Sequence, residues 1–73
     1  MDIFKLYVDF QEGSKDYVTA SVFRGDSLYM KLEDISKPYD INNYNTDWKN
    51  GLIKHYYNLA QEQIGNDKIL VTI

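Results

Sequence analysis

The chain of 73 residues has no cysteine, one proline, one histidine and four glycines, and Arg24 is its only arginine. Each scarcity excludes something. Without cysteine there is neither a disulfide framework nor a thiolate metal site. Packing alone must therefore hold a single domain that buries only about 60% of the surface its unfolded chain exposes. His55 has no acid three or four residues away on its own helical run, so it reads as a surface histidine and not a metal ligand. The eight basic residues are never adjacent and the net charge is −3, which disfavours nucleic acid as a partner. The acids are too dispersed for a mimic of DNA. No apolar run approaches the ~20 residues of a membrane span. The opening "MDIFKLYVDF" lacks the basic and apolar regions of a signal peptide. A soluble, cytoplasmic chain is expected. With no phosphate-cradling glycine loop and no serine beside an identifiable base, neither cofactor nor metal is expected. "RGDS" (24–27) reads as a hairpin turn.

What remains is rich in apolar and aromatic residues, 44% and 15% of the chain, enough for a real core. Phe4, Leu6, Val8 and Phe10 alternate with Ile3, Lys5, Tyr7 and Asp9, as in a half-buried strand. A second run (17–24) sets Val18, Ala20 and Val22 against Tyr17, Thr19, Ser21 and Phe23. A third (28–33) sets Leu28, Met30 and Leu32 against Tyr29, Lys31 and Glu33. Short turns between them predict an antiparallel meander. Residues 35–45, with Pro38 and three asparagines, read as a surface loop. Thr46 or Asp47 is the expected helix cap. Trp48, Leu52, Tyr56 and Leu59, widened by Ile53, Ala60 and Ile64, make one apolar stripe that Gly65 or Asn66 can close. Tyr57 projects off that stripe. "KILVTI" (68–73) is apolar on both sides, as for a strand flanked by neighbours or covered twice. The expected fold is α+β, β-β-β-α-β. A right-handed crossover lays the last strand parallel to the first, in order 3-2-1-4, with the helix on one face.

"KLYVDF" (5–10), "NNYNTDW" (42–48) and "KILVTI", in that order, resemble the front half of a ribonuclease-H-like domain. The resemblance implies this same scaffold. In that family about four carboxylates hold two divalent metals for phosphodiester cleavage. Asp9 matches the first of them. Asp47 lies at the helix cap and Glu62 near its far end, so neither takes the helix position. Phe10 replaces the glycine of the first motif, and no residue here matches the third and fourth acids. The expectation is a scaffold without nuclease activity. Asp9 is then a solvated charge on the uncovered face, or a remnant acid.

Seven tyrosines exceed what so small a core can hold. Tyr7, Tyr17, Phe23 and Tyr29 fall on the open sheet face, and Tyr39 and Tyr44 in the long loop. Tyrosine suits protein interfaces because it offers rigid area with a polar tip, and it is also a good strand former. The expected function is a non-catalytic protein-binding module. It is of the inhibitor or accessory type encoded by phages and mobile elements, whose small acidic, AT-rich-coded proteins this composition resembles in general type. A nucleic-acid-associated half-domain and a structural homo-oligomer paired through its edge strands are the alternatives. Removal of residues 68–73 is expected to abolish the cooperative thermal transition, because the strand also covers the helix. A truncated chain that still melts cooperatively contradicts this order.

Overall fold

The computed structural model describes residues 3–10, 16–37, 46–65 and 68–72. Strand β1 (Phe4–Asp9) buries every second side chain, Phe4, Leu6 and Val8 inward and Lys5, Tyr7 and Asp9 outward. Strand β2 (Tyr17–Arg24) runs antiparallel to it, with Leu6 opposite Val22 and Val8 opposite Ala20. Two apolar alternations in register leave one dry face. Gly25, at φ +62, takes the left-handed turn into β3 (Ser27–Lys31). Helix α1 (Thr46–Ile64) carries the chain across the dry face, and β5 (Ile69–Thr72) returns parallel to β1 with Phe4 opposite Ile69. The sheet order is β3-β2-β1-β5. The fold is α+β with the expected strand order.

The partner of β2 departs from simple alternation. Arg24 pairs with Ser27 and Phe23 with Leu28, yet Val22 pairs with Met30. Tyr29 is thus an extra residue at a bulge. A second residue is gained further on, because Ser21 pairs with Lys31 but Val18 pairs with Ile35. Residues 35–36, expected in the loop, therefore form a short strand β4 (Ile35–Ser36) on the same side of β2. The bulges also break the expected grouping of Leu28, Met30 and Leu32. Leu32 is buried and Met30 packs on the core, whereas Leu28 is 58% exposed opposite Phe23.

Two further corrections concern the start of the helix and the final strand. Thr46 and Asp47 lie in the first helical turn and not before it, where Asp47 still faces the positive end of the helix dipole. Among the described residues no strand flanks the final strand on the side away from β1 and no element covers its open face, so it stands as an edge, and Leu70 and Val71 are each 41% exposed. At the far end of the helix, Gly65, at φ +85, closes the last turn with its N–H donating to the Gln61 carbonyl at 2.7 Å.

Burial along α1 centres on Tyr56 and Ala60, which lie against Leu6, Val8, Val18 and Val22 in one cluster. Trp48, the expected head of the stripe, is half-buried and tilts against Phe10 at 6.1 Å. Tyr57, expected off the stripe, also packs on the core. Tyr56 is fully enclosed, and a buried hydroxyl needs an acceptor. It donates to the Glu33 carbonyl at 2.6 Å, with the Val18 carbonyl 3.3 Å away. The helix is thereby fixed to the sheet where the ladder steps between β3 and β4. Burial, reinforced by the nearby carboxylates of Glu33 and Asp34, pushes the Tyr56 pKa from 10.0 up to about 12.

Removing that hydroxyl with Tyr56→Phe is expected to cost about 1–2 kcal/mol in chemical denaturation. The folded pKa lies above the unfolded one, so the stabilisation is complete below pH 10 and is lost as pH rises towards 12. The stability gap between wild type and Tyr56→Phe should accordingly stay constant below pH ~10 and narrow above it.

Candidate functional site

With the helix on one face, the other face of the sheet is uncovered by any described element. Its side chains follow from the register. Leu70 stands beside Lys5, Lys5 beside Phe23, and Phe23 beside Leu28. The next row is Thr72, Tyr7, Ser21 and Lys31. Tyr7 meets Phe23 edge-on, with ring centroids 5.2 Å apart and planes at 82°, the geometry that sets a positive ring edge on a negative face. Tyr7, Phe23 and Leu28 thus form an apolar cluster between Lys5 and Lys31, with Tyr7 38% exposed.

This cluster differs from the expected group of tyrosines. Tyr29 leaves the open face because of its bulge and stacks edge-on against Phe4, a residue of the dry face, at 5.0 Å. Tyr17 keeps to the open face and is half exposed. It lies four residues along β2 from the partner of Tyr7, about 13 Å away, so the two rings do not meet. Tyr39 and Tyr44 lie outside the described residues. Leu28 and Leu70, which strict alternation did not single out, replace Tyr29 and Tyr17 in the neighbourhood of Phe23. Only the strand register, absent from composition and periodicity, could have placed them there.

Asp9 is exposed on the same face, opposite Thr19 at the end of β1. Among the described residues no three of His, Cys, Asp and Glu gather closely enough to hold a metal ion. His55 is not the lone side chain its helix suggested. Its Nε2 lies 3.0 Å from Glu33 Oε1, an ion pair when the ring is protonated, and its ring leans on Tyr56. Glu33 is 22 positions away in sequence, so no search for partners one helical turn apart finds it. The pair is open to solvent and adds little energy. Its effect is to align the Glu33 segment beside Tyr56.

The chain matches no family model, no curated protein and no solved structure. The geometry of the open face must carry the functional reading by itself. Leu28→Ser should change stability by no more than about 0.5 kcal/mol, since its side chain touches solvent more than core. A double-mutant cycle between Tyr7 and Phe23 should return a coupling of about 0.5–1.5 kcal/mol; additive effects would mean that the rings do not interact in solution.

Proposed function

We propose that the protein is a non-catalytic binding module that acts by occupying the surface of another protein. The observation that carries this is the cluster of Tyr7, Phe23 and Leu28 on the sheet face opposite the helix. Exposed apolar side chains that adjoin one another, rimmed by charge, suit a protein partner. Aromatic anchors of limited flexibility give most of the energy in such contacts. Lys5 and Lys31 flank the cluster and Asp9 lies at its margin, so the rim carries both signs. A compact acidic patch on a partner would meet the two lysines. The inhibitor or accessory role, in the manner of small proteins of phages and mobile elements, rests on composition and size, as does a cytoplasmic setting.

The remnant nuclease reading rests on Asp9. It requires that an acid from another chain join Asp9 around a divalent ion.

Two measurements separate these. Immobilised wild type should retain a stoichiometric protein from extracts of the source cells, and the variant combining Tyr7→Ser with Leu28→Ser, folded by circular dichroism, should lose it. Retention by the folded variant rejects the open face as the contact surface. Titration with Mn²⁺ or Mg²⁺ followed by NMR should leave Asp9 and its neighbours unshifted; changes centred on Asp9 would replace the binding-module reading with the remnant one.

A further inference from the structure

The two edges of this sheet differ in kind. The outer strand beside β2 is bulged at Tyr29, steps again before Ile35, and carries Lys31. Bulges and lysines are the usual devices that keep an edge from pairing with another chain. The β5 edge shows no bulge, and its one lysine, Lys68, precedes the strand. Its residues Ile69, Leu70, Val71 and Thr72 are uncharged, and Leu70 and Val71 are exposed on opposite faces.

The backbone of β5 states what fits it. The Phe4 N–H donates to the Lys68 carbonyl at 3.2 Å, and Phe4 lies opposite Ile69. In a parallel ladder this means that Lys68, Leu70 and Thr72 turn their amides and carbonyls to β1. Ile69 and Val71 turn theirs away from it. Among the described residues no strand lies on that side. Unpaired strand groups are complementary to another extended strand.

We infer that β5 pairs antiparallel with β5 of a second copy, about a two-fold axis at Leu70. This goes beyond the proposed binding role and uses a different surface. The register is self-complementary: Ile69 of each copy lies opposite Val71 of the other, and each such pair exchanges both backbone hydrogen bonds. All outward groups of Ile69 and Val71 are then satisfied. Leu70 meets Leu70 of the second copy across the axis as a non-hydrogen-bonded pair, at a Cα separation of about 4.5 Å. Val71, on the helix side and open in the single chain, comes to lie beside Ile69 of its mate. Lys68 falls opposite Thr72, so no like charges face each other. The alternative occupant, a strand from a different protein, would satisfy the same backbone groups but gains nothing from this symmetry. A contact of one four-residue strand from each copy belongs with small interfaces, so the dimer is expected to be reversible and dependent on concentration.

Sedimentation equilibrium across a concentration series should show the mass rising from 8.6 kDa towards twice that value. Over the same series, hydrogen exchange at the Ile69 and Val71 amides should slow. Leu70→Lys sets two ammonium groups against each other at the axis, and Val71→Pro removes an outward N–H that β1 does not use; both should remain folded monomers. If Val71→Pro unfolds, Leu70→Lys and the exchange of the wild type still decide. A folded wild type that keeps the mass of one chain at every concentration overturns the inference. So does a dimer that persists in Leu70→Lys, or one that forms without protection of Ile69 and Val71.

Discussion

The hydrogen bond from the Tyr56 hydroxyl to the Glu33 carbonyl fixes how helix and sheet meet. A tyrosine enclosed at the centre of a small core gives large apolar burial only if its polar tip is satisfied. Here the acceptor lies where the outer strand steps past β2. The position of the step and the position of the helix are therefore mutually dependent. Sliding α1 by one turn would strand the hydroxyl among Leu6, Val8 and Val18. His55 and Glu33 reinforce the arrangement from outside, at the solvent boundary of the same turn. Without this anchor the helix would lose a buried directional contact, and apolar packing by itself tolerates several placements.

That constraint also makes the sheet's two faces unlike. One face is buried under the helix, and the opposite face keeps partly exposed aromatics supported from below by the core. Tyr7 and Phe23 hold each other in place, so the proposed binding would cost them little further ordering entropy. A side chain pinned in this way makes a better anchor than a long lysine free in solvent. In the proposed contact the two lysines nearby would add selectivity through charge more than affinity.

Much of this was legible in the sequence, and the boundary of legibility has a physical cause. Period-two alternation in Phe4–Asp9 and Tyr17–Arg24 and the apolar spacing around Tyr56 are properties of residue order, so element types and strand order could be read directly. The bulges could not. An extra residue on an outer strand costs little, requires no glycine or proline, and leaves no mark in composition. Each shift nevertheless moves the following side chains to the other face. That is why Tyr29 and Leu28 exchanged places relative to simple alternation, and why Tyr7 and Phe23 were visible but Leu28 was not; Leu70 was hidden because a run apolar on both sides does not show which side chains face out. The Glu33 partner of His55 was hidden for a different reason: the two meet only once the fold is complete.

The pairing of Phe4 with Ile69 also says something about the order in which the chain assembles. β1 and β2 are adjacent in sequence, but β1 and β5 are brought together from nearly opposite ends of the chain. Closing so long a loop carries an entropic penalty that local contacts do not, and pairings of high sequence separation slow folding. On these grounds β5 is expected to dock last, after the meander and helix. During that interval the inner side of β1, a strand rich in aromatic and branched residues, is an open edge at the middle of the future sheet. The interval before β5 docks is when a newly made chain is most exposed to mispairing with a neighbour.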